Sequence, residues 1–481
     1  MDAVMKKISS MYPEHSWELV SRRSARSVHR LIRKGEVEYY VKILSPRTLP
    51  ERLRNLIHPK TLREASMLDH LMHAGIPVPE VCGHVRAGSS SALITRAVFP
   101  ARSLFEESRQ RQIEVMLDMG VRLLNAGFGF SDMHLGNIIL NRQSSPFLVD
   151  AYEIVPLKKT ALKHASSLFA QVVNIFDLSR EELEPYLMQT AGIGEADAAW
   201  EMIRSQALSL RRKQVGRRVA RSLREGSFSR AFLCPQFRAF VNRNHSPDLH
   251  GLVAAHRAHL AGNTNLYKVQ KKTQLSTTGE YCIKSYAKAG LFAAPYAVRS
   301  WKGSLTLLFN GVPVAEPVAV IVFRNRESML ITRDLDQPDL DRFLAGGYSR
   351  LPLGERRSLA QALGGFVGSL HAKGIYHADL KACNIKICTQ PVQFYLLDTD
   401  RVEHRKALSL KRRLKNLVQI NTSIPREVSR TARMAFLKSY CAITGDDPGE
   451  LFKDIWRLSS GSEVIYRCDT GDVIEQWREN P

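Results

Sequence analysis

The chain states one arrangement of residues twice, in the same order. Phe130-Ser131-Asp132-Met133-His134-Leu135-Gly136-Asn137 is followed, 13 residues after its Asn, by the Asp of Leu148-Val149-Asp150. His377-Ala378-Asp379-Leu380-Lys381-Ala382-Cys383-Asn384 is followed, 14 residues after its Asn, by the Asp of Leu396-Leu397-Asp398. Upstream, Tyr39-Tyr40-Val41-Lys42-Ile43 and Glu280-Tyr281-Cys282-Ile283-Lys284 each read as a strand with one Lys among β-branched and aromatic residues. Lys42 precedes Asp132 by 90 residues and Lys284 precedes Asp379 by 95. Between these landmarks Gly75-Ile76-Pro77-Val78-Pro79 answers to Gly311-Val312-Pro313-Val314-Ala315, and Leu93-Ile94-Thr95-Arg96 to Leu330-Ile331-Thr332-Arg333. Repetition of an ordered series at matched spacing is the mark of an internal duplication, here of a unit of roughly 200 residues.

The repeated parts carry a definite chemistry. An Asp, an Asn five positions on and a second Asp at the end of an apolar strand form the catalytic-loop and metal-loop layout of protein kinases. In that layout Asp132 and Asp379 accept the proton of an attacking hydroxyl. Asn137 with Asp150, and Asn384 with Asp398, hold Mg²⁺, while Lys42 and Lys284 hold the phosphates of ATP by charge. Alone, D-x-x-x-x-N describes many solvated loops; in duplicate, with a strand lysine upstream of each copy, it points to phosphoryl transfer. Arg63-Glu64-Ala65-Ser66-Met67-Leu68 opens an amphipathic helix that places Glu64 to pair with Lys42, the alternative being an ordinary exposed helix Glu. In the second unit the matching position holds Ser300, so Lys284 needs another partner or that unit is the weaker catalyst.

With 44% hydrophobic residues and no low-complexity tract, 481 residues suffice for more than one core. Seven cysteines without a C-x-x-C indicate a reducing compartment and no zinc site. No run reaches the length of a membrane span, and the start, Met1-Asp2-Ala3-Val4-Met5-Lys6-Lys7, lacks the apolar core of a signal peptide. A cytoplasmic chain, peripheral to a membrane, is expected. The formal charge of +22 attracts polyanions, with dense runs at Arg211-Arg212-Lys213, Arg217-Arg218, Arg221, Arg224 and Lys411-Arg412-Arg413, Lys415. Both runs are expected to face solvent. The absence of an aromatic-rich recognition motif, zinc finger or basic zipper argues against nucleic acid as the partner.

The expected fold is α+β: two tandem protein-kinase-like bilobal domains, residues 1–228 and 229–481, each with a β-rich N-lobe and a helical C-lobe. Gly226-Ser227-Phe228-Ser229 and Asn242-Arg243-Asn244-His245-Ser246-Pro247 read as a turn-rich connection, with the second unit starting at Leu266. Ser131 and Ala378 stand where regulated protein kinases carry Arg before the catalytic Asp, and no Ala-Pro-Glu follows Asp150 or Asp398. The turns between the first two strands, placed at Ser24-Ala25-Arg26-Ser27 and Gly262-Asn263-Thr264-Asn265, lack G-x-G-x-x-G. A eukaryotic-type protein kinase is therefore not the class.

The residues resemble the bacterial lipopolysaccharide kinases, the core heptose and 3-deoxy-manno-octulosonic acid (Kdo) kinases. The first half carries Tyr-Val-Lys, Arg-Glu-Ala, Gly-Ile-Pro-Val-Pro and Asp-Met-His-Leu-Gly-Asn. The second is closer, with Ala261-Gly262-Asn263-Thr264, Arg299-Ser300-Trp301, the 377–384 loop, Leu396-Leu397-Asp398-Thr399-Asp400-Arg401 and Lys411–Leu417, a helix that the resemblance places beneath the catalytic loop. The resemblance implies ATP- and Mg²⁺-dependent phosphorylation of a sugar hydroxyl of the lipopolysaccharide inner core or a related anionic glycolipid, at the cytoplasmic face of the inner membrane. The basic surface then meets an anionic substrate and an anionic inner-membrane surface; no partner protein is identifiable. Two other readings stay open: a small-molecule phosphotransferase like those acting on aminoglycosides or choline, and a pseudokinase scaffold in envelope assembly.

Overall fold

Residues 3–158, 162–270, 272–290, 293–468 and 470–476 are described by the computed structural model. Met1 and Asp2 of the N-terminal stretch lie outside them. Helix accounts for 45% and strand for 26%, a mixed α and β chain. It divides into two compact units, Met1–Leu210 and Arg211–Pro481.

The first unit opens with helix Ala3–Met11. Five antiparallel strands follow, in the spatial order Ser16–Arg23, Arg26–Arg33, Glu36–Leu44, Ser90–Arg96, Val81–Ala87. Alternation along the third strand sends Val41 and Ile43 to one face, where they pack with Val4 and Ile8 of the opening helix. Lys42 therefore points to the opposite face, the side of helix Lys60–His73. The helical part joins Arg109–Asn125 and Leu162–Phe176 in one core, with Leu117, Leu124, Leu168 and Phe169 fully buried. Each such side chain contributes about 1.5–3 kcal/mol relative to exposure.

The second unit has a seven-stranded sheet in the order Ser229–Leu233, Phe237–Asn242, Pro317–Phe323, Ser328–Arg333, Tyr281–Tyr286, Thr273–Thr278, Leu266–Gln270. The last five take the order seen in the first unit. The two added strands come from the stretch read as a connection, a correction with a clear cause. Polar clusters at 226–229 and 242–247 bracket Ala231-Phe232-Leu233 and Phe237-Arg238-Ala239-Phe240-Val241, which pair as a hairpin. Their addition turns Pro317–Phe323 into a central strand, and its near-continuous apolar sequence is buried accordingly. The matching strand Val81–Ala87 is an edge and keeps a mixed sequence.

A second correction concerns Gly262-Asn263-Thr264-Asn265. These residues do not join the first two strands; they end helix Leu249–Gly262, with Asn263 as a left-handed C-cap. The first two strands of this unit, Leu266–Gln270 and Thr273–Thr278, pair with Gln270 opposite Thr273. Gly75 and Gly311, by contrast, do the same work in both units. Each follows a helix at positive φ, 76° and 65°, and lets the next amide return to the helix, Ile76 N–H to Leu71 O at 2.9 Å and Val312 N–H to Leu307 O at 3.0 Å. Among the described residues no helix is long and apolar enough to cross a membrane.

Candidate active site

In the first unit, Lys42 sits in the middle of its strand, opposite Leu93 and Val28. Its ammonium is bonded to the Glu64 carboxylate, donates to Val149 O at 2.6 Å and lies 3.9 Å from Asp150 Oδ1. Glu64 is buried, on the inward face of its helix. Arg26, the first residue of the second strand, crosses to Asp150 Oδ2 at 3.2 Å. The loop ahead of it holds Asn137, whose amide donates to Asp132 O at 2.8 Å, while Asp132 stands open to solvent beside His134.

In the second unit, Lys284 again lies in mid-strand, opposite Leu330 and Leu275. It donates to Asp398 Oδ1 at 2.6 Å, and the ring of Tyr286 lies 5.2 Å from its Nζ. Burial alone would lower the Lys284 pKa; Tyr286 and Asp398 outweigh it and raise the value. Ser300, opposite Glu64 in sequence, does not reach Lys284 but bonds the Tyr286 hydroxyl at 2.7 Å. The partner that Lys284 needs is thus Asp398. Asn384 donates to Asp379 O at 2.9 Å and to Asp379 Oδ2 at 3.1 Å, and Lys381 pairs with the same carboxylate at 3.2 Å.

Backbone bonds set both loops alike. Val149 N–H bonds Asn137 O at 2.9 Å, and Leu397 N–H bonds Asn384 O at 2.8 Å. Strands Ile138–Leu140 and Pro146–Leu148 pair in one unit, Ile385–Thr389 and Val392–Leu396 in the other. Each hairpin spaces its Asn from the following Asp.

Several supporting residues were not found from sequence. Gln171 accepts from Met133 N–H at 2.7 Å and donates to Phe130 O at 3.0 Å. Gln419 accepts from Leu380 N–H at 3.2 Å and donates to Ala378 O at 2.9 Å. These glutamines lie 39 and 40 residues after Asp132 and Asp379, a matched spacing that is visible in the sequence. Replacing Gln419 by Ala leaves two buried backbone groups unpaired beside Asp379; a fall of about tenfold in kcat with little change in KM is expected from steady-state kinetics.

Beneath the second loop, Asn416 donates to His377 O at 2.6 Å and accepts from His371 at 3.1 Å. His377 is fully buried, bonded to Leu397 O at 2.9 Å. Burial pushes His377 down, and pushes His371 down to about 4 against the opposing Asn416 bond. Because its folded value lies below the ordinary 6.5, the His371 ring contributes stability that is complete above pH 6.5 and is lost as pH falls toward 4, and His377 acts in the same direction. Urea midpoints are expected to drop between pH 7 and pH 5, with a shallower drop in His371→Gln.

Helix Tyr296–Phe309 rests on the loop carrying Asp398. Ser304 bonds Thr399 Oγ1 at 2.8 Å, Thr399 Oγ1 donates to Ser300 O at 2.9 Å, and a Cβ on Gly303 would lie 1.8 Å from Thr399 O. Asp398 itself has φ 52°, a left-handed conformation that a non-glycine residue holds only when its surroundings impose it. Burial, then the charge of Asp398, raises the Asp400 carboxyl. The candidate metal residues Asn384 and Asp398 offer only oxygen for such a role, the donor type that suits Mg²⁺.

The two basic runs differ. Arg212, Arg217, Arg218, Arg221 and Arg224 are exposed, as expected. Arg412 and Arg413 are not solvated side chains: both are half-buried, Arg412 paired with Glu403 at 2.7 Å and Arg413 with Asp446. Only Lys411 and Lys415 of that run face solvent.

A strand lysine facing a carboxylate, beside a loop Asp braced by an Asn, is the site plan of phosphoryl-transfer enzymes. Residues 258–440, within the second unit, match the lipopolysaccharide kinase (Kdo/WaaP) family, and the match supports a kinase. No curated protein matches the chain. Among solved structures, WbdD in complex with a kinase inhibitor is 20% identical with a TM-score of 0.28, covering 40% of this chain and 45% of its own. This chain thus spans less than half the length of that structure. A type VIII aminoglycoside-3'-phosphotransferase is 17% identical with a TM-score of 0.31, over 42% of this chain and 97% of its own. The phosphotransferase APH(3'')-Id from Streptomyces rimosus is 14% identical with a TM-score of 0.31, over 42% and 97%.

Proposed function

We propose that the chain phosphorylates a sugar hydroxyl, heptose or Kdo, of the lipopolysaccharide inner core or a related anionic glycolipid, using ATP. The observation that carries this reading is the family match at 258–440, which spans Lys284, Asp379, Asn384 and Asp398. In the second unit Asp379 takes the acceptor hydroxyl's proton and aims its oxygen at the γ-phosphorus. Lys284 leaves Asp398 and holds the phosphates, so that the new P–O bond forms as the bond to the β-phosphate oxygen breaks. Asn384 and Asp398 would hold Mg²⁺, which when bound offsets the charge that develops on the transferred group. Asp132, Lys42 with Glu64, Asn137 and Asp150 take the same roles in the first unit, which we read as a second, tandem copy. Recurrence of the strand order, the Asn-to-Asp bond and the Gln brace supports two copies. The net charge of +22 supports action at the cytoplasmic face of an anionic membrane.

Acceptor choice tests the reading. With ATP and Mg²⁺, the purified chain is expected to phosphorylate core lipopolysaccharide and not kanamycin or choline. Transfer to the latter two alone would replace the acceptor class, and ATP binding without transfer to any acceptor would favour a scaffold.

A further inference from the structure

Helix Leu49–Ile57 is built inside out. Its one buried residue is Asn55, whose amide donates to Ser89 O at 2.7 Å and to Ser91 Oγ at 3.1 Å, while its Oδ1 accepts from Lys60 N–H at 3.3 Å. Leu49, Leu53 and Leu56, spaced at i, i+4 and i+7 on one stripe with Ile57 beside them, are 69%, 53%, 43% and 71% exposed. A surface helix ordinarily turns such a stripe to the core; this one is fastened by a polar residue and presents its leucines to solvent. Isolated exposed leucines are common, but three leucines and an isoleucine on one face of nine residues form a patch.

Charge surrounds that patch. At 3.6 residues per turn Arg52 and Arg54 fall on its two flanks, and exposed Arg47 and Lys60 lie before and after the helix. Glu51 is the one acid in the segment, and it is spent on the N-terminus, accepting from Thr48 and Arg47 N–H at 3.3 Å and 3.2 Å. An apolar stripe edged by arginines is the design of a helix lying in a lipid interface, its apolar side chains among the acyl chains and its guanidinium groups at the headgroups. A helix about 13 Å long is too small by itself for the ~800 Å² per partner of a stable protein interface. The helix also leaves the strand that carries Lys42 and leads into the helix that carries Glu64.

We infer that Leu49–Ile57 docks the first unit on an anionic phospholipid bilayer, with Leu49, Leu53, Leu56 and Ile57 inserted and Arg47, Arg52 and Arg54 on the headgroups. This deepens the proposed function, resting on its membrane-held acceptor. The test is co-sedimentation of the full chain with vesicles of phosphatidylglycerol and phosphatidylcholine in equal parts, and with phosphatidylcholine alone. Wild type is expected to bind the first and not the second, less so as salt rises. Leu53→Gln with Leu56→Gln, and separately Arg52→Glu with Arg54→Glu, are expected to lower binding by about tenfold or more with unchanged melting temperatures. Unchanged binding in both variants would overturn the inference. So would a wild-type dimer made monomeric by the leucine variant while vesicle binding persists. Phosphate transfer to detergent-solubilised acceptor is measured alongside. Its absence from wild type, with vesicle binding and its loss in the variants intact, would defeat the function and leave the docking helix standing.

Discussion

Asp379→Asn is expected to cut phosphate transfer by the second unit by about 10²–10⁴-fold, the ordinary contribution of a positioned general base. The substitution keeps the side chain's shape and the backbone carbonyl that Asn384 bonds at 2.9 Å, so the loop should survive. It removes the carboxylate that would accept the hydroxyl proton, and with it the charge partner of Lys381. Nucleotide affinity should change little, because phosphate binding is assigned to Lys284 on the facing strand. Single-turnover transfer, nucleotide titration and a thermal melt on one preparation separate these effects. Activity within a few-fold of wild type, with an intact melt, would remove Asp379 from the role.

Gly303→Ala should have the other large effect. A Cβ at position 303 would fall 1.8 Å from Thr399 O and 2.9 Å from Thr399 C, both backbone atoms that cannot turn aside. Either helix Tyr296–Phe309 lifts or the 398–401 loop moves, and overpacking of this kind costs about 1–3 kcal/mol. The helix also holds Ser300 against Tyr286, whose ring flanks Lys284. One added methyl group is thus expected to lower the melting temperature by several degrees and to weaken transfer together with it. A wild-type melt and wild-type rate would show that this contact does not hold the loop.

Much of the candidate site could be read before any coordinates, for reasons that lie in its chemistry. A lysine among β-branched residues marks a strand with one polar face, and phosphoryl transfer compresses its loop groups into short, repeatable spacings. Glu64 could be read because helix geometry fixes which side faces Lys42. What could not be read depends on distant partners or on local ambiguity. Arg26 looks like any turn-side arginine until it is seen 3.2 Å from Asp150. Arg412 and Arg413 look solvated because Glu403 and Asp446 lie outside their run. Gly262-Asn263 has the composition of a hairpin turn and of a helix C-cap alike, and only the helix before it decides. The strands 229–242 were hidden by the polar clusters at their ends, although Phe237, Ala239 and Val241 alternate inward once paired.

Phosphate transfer to a glycolipid is tested most directly by following labelled γ-phosphate from ATP onto purified core lipopolysaccharide. Wild type, Asp132→Asn, Asp379→Asn and the double variant are compared, and the phosphorylated sugar positions are mapped. Mg²⁺-dependent transfer by wild type, loss of a defined position in Asp379→Asn, and no transfer by the double variant are expected. Label incorporated equally by wild type and the double variant, or none by a wild type that binds ATP, would contradict the proposed function.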